Sequence, residues 1–244
     1  MRTETALLVL GALSGGLVNG LTGFGTGMTA LVFWLHAVPP IVAGPLVCAC
    51  SVVAQMQALP AVWHALDWRR LAPFVIGGCL GVPVGTWLLP RLPVSTIKLG
   101  LGVILVVYCT VMLIGRVRVT LAKESRALDG LVGFAGGVLG GIAGLSGVLP
   151  TIWANLHGWS KDARRAVFQG FNLAILSLAL ASFAVAGLLD ARFVDAFLIA
   201  LPATIAGSLI GQWLYRRLSD DTFTRVVLLV LLAAGMSLVW SNLV

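Results

Sequence analysis

The chain has 244 residues, of which 59% are hydrophobic and only 10% charged, with a net charge of +7 and a mean hydropathy of +1.02. A soluble domain carries about a quarter charged residues, so a water-soluble globule is excluded and no second, soluble domain can be cut out. The basic excess does not point to nucleic acid, because Lys and Arg fall in short loops between apolar spans, the usual membrane pattern; the lipid bilayer is the first partner that the composition implies.

Apolar segments are expected at 5–36, 40–63, 71–89, 96–115, 128–157, 165–188, 193–214 and 222–241. A straight span needs about 20 residues, so the first and the fifth are too long to be single spans. Both carry a glycine cluster in the middle: Gly15-Gly16-Leu17-Val18-Asn19-Gly20-Leu21-Thr22-Gly23-Phe24-Gly25 in one, and Gly136-Gly137-Val138-Leu139-Gly140-Gly141-Ile142-Ala143-Gly144-Leu145-Ser146-Gly147 in the other. Gly15, Gly16, Gly20 and Gly23 fall on Gly136, Gly137, Gly141 and Gly144 at a constant spacing of 121, and His36 falls on His157 at the same spacing. Segments 81–92 and 207–218 share the pattern Gly-x-x-x-Gly-x-Trp-Leu at a spacing of 126. The expected organisation is a first membrane repeat over 1–115, a cytoplasmic linker over 116–127 and a second membrane repeat over 128–244. The apolar start is read as retained and not as a cleaved signal, since it takes part in the repeat and no small-residue cleavage site follows it.

Charge selects between topologies. If each long segment crossed once, the Lys and Arg residues would divide 8 to 8; if each dips in and returns, they divide 12 to 4. The positive-inside rule favours the second arrangement, with both termini periplasmic, the basic loop cytoplasmic, and three crossings in each half. The expected fold is an all-α integral membrane protein of two inverted repeats, each a glycine-broken hairpin plus three transmembrane helices. Two short full crossings in place of each hairpin would give the same parity. Trp34, Trp63, Trp68, Trp87, Trp159, Trp213 and Trp240 lie near the span ends, where indoles favour the membrane interface.

Paired glycine-broken segments at matching positions point to a transporter's binding site. A break frees backbone N–H and C=O groups, tolerated only where buried in protein or lining a polar cavity, and half-helix N-termini attract anions. The candidate substrate-binding residues are Asn19, Gly20, Thr22, Gly23, Gly25, Gly141, Gly144, Ser146, Gly147, Gln169 and Asn172. The plainer reading is close helix packing through small residues, which is preferred for Gly81, Gly85, Gly207 and Gly211. His36 and His157 are candidates for gating or proton coupling, against a plainer role in capping. Lys161, Arg164 and Arg165 are expected at a cytoplasmic span end, serving orientation first and anion collection second.

Other chemistries find little support. No Asp, Glu, Lys or Arg is expected centrally in any span, so the intramembrane carboxylate of a proton pump is missing. Cys48, Cys50, Cys79 and Cys109 lie inside apolar segments and are read as small hydrophobes; neither a metal site nor a cofactor is expected. Gly144-Leu145-Ser146-Gly147 is similar to the serine motif of rhomboid proteases, but the histidines it would need sit at span ends. No P-loop occurs.

The paired motifs at 16–27 and 137–147, the basic central loop, and the repeated 81–92 and 207–218 segments together resemble the sulfite exporter TauE/SafE family over nearly the whole chain. The second motif departs from many relatives in continuing with Val148-Leu149-Pro150 instead of further glycine. The resemblance implies a bacterial inner-membrane protein that moves a small sulfur-containing anion, sulfite or an organosulfonate, usually outward, and is not an enzyme. The alternatives are a small-solute or ion channel and a membrane assembly protein that transports nothing. Exposed small-residue faces leave a homodimer open.

Overall fold

The computed structural model describes residues 2–88, 94–114, 125–143 and 146–240. The candidate Gly144 and most of the basic linker, 116–124, lie outside the described residues. The described chain forms α1 (Arg2–Thr22), α2 (Thr26–Trp34), α3 (Pro40–Ala58) with a 3₁₀ extension (Leu59–Ala65), α4 (Trp68–Leu88), α5 (Val94–Ile114), α6 (Arg126–Ala143), α7 (Val148–Asn155), α8 (Lys161–Val185), α9 (Ala191–Arg216) and α10 (Asp220–Trp240). Large apolar side chains such as Ile41, Ile76, Leu80 and Leu198 face outward. That surface suits lipid, and the protein is a multi-pass membrane protein.

Both long apolar segments are broken, and the local sequence explains the first break. Gly23 and Gly25 have φ of 85° and 92°, a left-handed conformation that suits glycine. The hydroxyl of Thr22 lies 2.8 Å from Val18 O and 3.0 Å from Phe24 O and accepts from Phe24 N–H at 3.4 Å, tying off the end of α1. The chain then folds back, and the Trp34 indole N–H donates to Leu8 O at 3.0 Å. In the second segment α7 folds back on α6, and the Trp153 indole N–H donates to Asp129 Oδ1 at 2.7 Å. The return arms α2 and α7 have 9 and 8 residues, about 12–14 Å at the helical rise against a hydrocarbon core of about 30 Å. Both are too short to be full crossings.

The expected architecture of two inverted repeats with three transmembrane helices each is corrected by the structure. Among the described residues four helices, not six, are long and apolar enough to cross a bilayer: Thr3–Thr22, Ile41–Ala65, Lys161–Val185 and Ala191–Arg216. Apolar segments read from sequence do not reveal where a helix begins, ends or meets charge. The arm α1, expected only to dip in and return, is itself of spanning length. By contrast α6 has 18 residues and carries Arg126 and Asp129 in its first turn, leaving about 21 Å of uncharged helix at the helical rise, short of a hydrocarbon core of about 30 Å.

Two helix pairs dominate the packing, α1 with α9 and α4 with α6. Each pair runs parallel with backbones in near contact. A methyl group placed on Gly16 or Gly20 would collide with Thr204 O or Ser208 O, and one on Gly207 or Gly211 with Leu13 O or Leu17 O. The same holds for Gly77, Gly81 and Gly85 against Gly130, Phe134 and Val138. Glycine at this spacing permits the close approach that drives helix association in lipid. Trp63, Trp68, Trp87, Trp213 and Trp240 are exposed as interfacial indoles would be, whereas Trp34 is fully buried because its N–H serves as the staple to α1.

Candidate substrate site

The first break, the second break and two further helices meet at one small cavity of ≈ 40 Å³. Its polar lining is Asn19 and Thr26 from the first hairpin, Ser51 and Gln55 from α3, Ser146 before α7, and Asn172 from α8. All six are at most 3% exposed. The volume is about three times what one water needs, so the walls are closed down around the site. A larger hollow of ≈ 860 Å³ between α4 and α6 is mainly apolar and open, with Arg69 and Arg126 as its charged lining residues; it lies apart from both breaks.

Gly23 is the centre of the bonding. Its carbonyl oxygen accepts from Gln55 Nε2 at 3.0 Å and from Asn172 Nδ2 at 3.5 Å. Asn172 Oδ1 in turn accepts from the Ser146 hydroxyl at 3.0 Å, linking the two breaks through α8. Asn19 donates to the Thr26 hydroxyl at 2.8 Å across the turn. The Phe24 ring, buried at the same tip, packs edge-on against Phe168 at 6.1 Å. A side chain on Gly147 would begin 2.7 Å from Asn172 Nδ2, so the second break also presses its backbone against α8.

Two features give the cavity a bias toward negative charge. Neither α2 nor α7 has a side-chain N-cap, and both begin at the cavity wall; α8 and α9, by contrast, are capped by Ser160 and Asp190. Uncapped N-termini carry partial positive charge and free N–H donors. Among the described residues the cavity lining also contains no Asp or Glu.

The family model described as Sulfite exporter TauE/SafE matches residues 7–238. The chain belongs to the sulfite exporter TauE/SafE family. Its members are transporters and not enzymes, and the match takes in both breaks and all six polar residues of the cavity. Comparison with curated proteins and with solved structures finds no match.

Within this TauE/SafE chain the sequence candidates separate into groups. Asn19, Gly25, Ser146, Gly147 and Asn172 line the cavity. Thr22 and Gly23 form the turn beside it, and Gln169 packs on Gly23 from α8. Gly20 faces Ser208 on α9, and Gly141 is half-buried on α6. Thr26, Ser51 and Gln55 are legible in the sequence as polar residues beside the first break and on the following span, and the structure adds them to the cavity. His36 and His157 sit at the far ends of α2 and α7, each with Nδ1 near the carbonyl four residues earlier, at 3.0 and 2.9 Å. His36 is exposed, and His157 lies between Trp153 and Trp159. No group of three or more His, Cys, Asp or Glu suited to a metal occurs among the described residues.

The largest departure concerns Arg165. It is read from sequence as a loop-end residue, yet it is 0% exposed within the span Lys161–Val185. It donates through Nη2 to Gly20 O, and its guanidinium stacks on the Tyr215 ring at 3.8 Å. The Tyr215 hydroxyl donates to Asp162, whose other oxygen lies 3.2 Å from His64 Nε2.

Proposed function

We propose that the protein is a secondary transporter that moves a small sulfur-containing anion, sulfite or an organosulfonate, across the bacterial inner membrane, and that it works as an exporter by alternating access. The observation that carries this reading is the cavity where two glycine breaks meet, lined by amide and hydroxyl groups and facing two uncapped helix N-termini. Such donors can replace the water that an oxyanion loses on entering the membrane. The return arms are short and glycine-bounded, the first held by side-chain bonds to Gly23 O and the second by the Ser146 bond to Asn172, so modest movement of α3 or α8 would open one side of the cavity. A channel reading is less well supported, because the cavity is closed down to a few waters' volume.

Export needs no ATP in this scheme. One negative charge leaving an inside-negative cell releases about 2.3 kcal/mol per 100 mV, which makes electrogenic uniport the simplest mechanism. The test is sulfite clearance from loaded bacterial cells that express the protein. Faster, saturable efflux than in cells without it supports the proposal; equal efflux for sulfite and for organosulfonates counts against it.

A further inference from the structure

Among the described residues the cavity has no formally charged lining residue, yet a buried cation lies close by. Arg165, Gln169 and Asn172 occupy i, i+4 and i+7 on α8, one face of the helix, and Asn172 reaches the cavity. Arg165 and Gln169 press on the first break from the other side: a side chain on Gly23 would begin 3.1 Å from Gln169 Cγ and 3.3 Å from Arg165 Cγ. Both residues are 0% exposed. Arg165 Nε and Nη1 and both polar atoms of the Gln169 amide have no hydrogen-bond partner among the described residues.

Buried polar groups are nearly always paired, and a buried unpaired cation is especially costly. The bond to Gly20 O accounts for one nitrogen of the guanidinium and the Tyr215 ring covers one face of it, but neither gives Nε or Nη1 a hydrogen-bond acceptor. The nearby carboxylate of Asp162 is engaged by Tyr215 and His64.

We propose that Arg165 and Gln169 form a second anion-binding station, which takes the oxyanion group of the solute as it passes between the cavity and the N-terminal end of α8. The proposal rests on the anion-transporter reading and adds the charge that the cavity lacks. Charge-assisted donation from arginine is the stronger kind of hydrogen bond to an oxyanion. The Gln169 amide supplies both a donor for the anion and an acceptor for a protonated form such as bisulfite.

The test is calorimetric titration of the full chain in lipid nanodiscs with sulfite and with methanesulfonate. Wild type is expected to bind saturably, Arg165→Gln at least about tenfold more weakly, and Arg165→Lys in between. Gln169→Leu is expected to bind several-fold more weakly with an unchanged or higher ligand-free thermal midpoint, a combination that a purely structural role would not produce. Wild-type affinity in Gln169→Leu together with Arg165→Gln would overturn the station and leave the cavity as the binding site. Should Arg165→Gln fail to fold, wild-type affinity in Gln169→Leu and Arg165→Lys would overturn it equally. Absence of binding of both anions by wild type would overturn the station and the anion-transporter reading together.

Discussion

The side-chain amide of Gln55 donates a hydrogen bond to the carbonyl oxygen of Gly23 at 3.0 Å, across 32 residues of chain. It joins α3 to the break that ends α1, and Asn172 brings α8 to the same oxygen. A carbonyl freed by a helix break must find donors when water is excluded, and here the donors come from two helices that also wall the cavity.

Gln55→Leu removes the shorter of these bonds and keeps the bulk. Loss of a donor to a buried acceptor costs about 1–3 kcal/mol. The expected outcome is a lower thermal midpoint and slower transport, with the protein still inserted in the membrane. Wild-type flux in this variant would show that the link to Gly23 is dispensable.

Gly23→Leu is expected to abolish transport. Its φ of 85° is unfavourable for any side chain, and the added atoms would meet Gln169 and Arg165; left-handed backbone alone costs a non-glycine residue about 1–2 kcal/mol. Detergent extraction and size-exclusion profiles report whether folded protein remains, and flux reports the site.

Glycines at the helix contacts predict a different pattern. Gly20→Ala would drive a methyl group into the backbone at Ser208, whereas a side chain on Gly44 meets nothing within 4 Å. Gly44→Ala should be neutral or stabilising by about 0.5–1 kcal/mol, as expected inside a helix. Gly20→Ala should lower the thermal midpoint clearly. Equal midpoints for the two variants would argue against near contact of α1 with α9.

Trp34→Phe tests the staple of the first hairpin. It removes the donor to Leu8 O while keeping an aromatic ring, at a cost of about 1–3 kcal/mol for a buried acceptor left unpaired. Stability should fall; apparent substrate affinity should not, since Trp34 lies at the opposite end of α2 from the cavity.

What the sequence reveals here follows from what each signal encodes. Glycine clusters are local, so the breaks after Thr22 and before Val148 and the packing role of Gly81, Gly85, Gly207 and Gly211 are legible from spacing. Burial of polar side chains is not local. Arg165 follows Ser160, Lys161, Asp162 and Arg164 and reads as part of a loop; only the placement of α8 against Gly20 and Tyr215 buries it. Trp34 misleads for the same reason, since a tryptophan near a span end is interfacial unless its neighbour supplies an acceptor. The number of crossings is not legible, because segment hydropathy ignores where helices end and where Arg126 and Asp129 enter α6. Yet the i, i+4, i+7 spacing of Arg165, Gln169 and Asn172 was present in the sequence and would have marked a polar face.

The central claim is that the chain carries an anion through the cavity at the two breaks, down its electrical gradient. Sulfite flux in proteoliposomes of purified protein, with an imposed potential of either sign, tests it most directly. The expected result is saturable flux whose rate follows the potential and which Gly23→Leu removes. Flux no greater than in protein-free liposomes, or equal flux in Gly23→Leu, would contradict it.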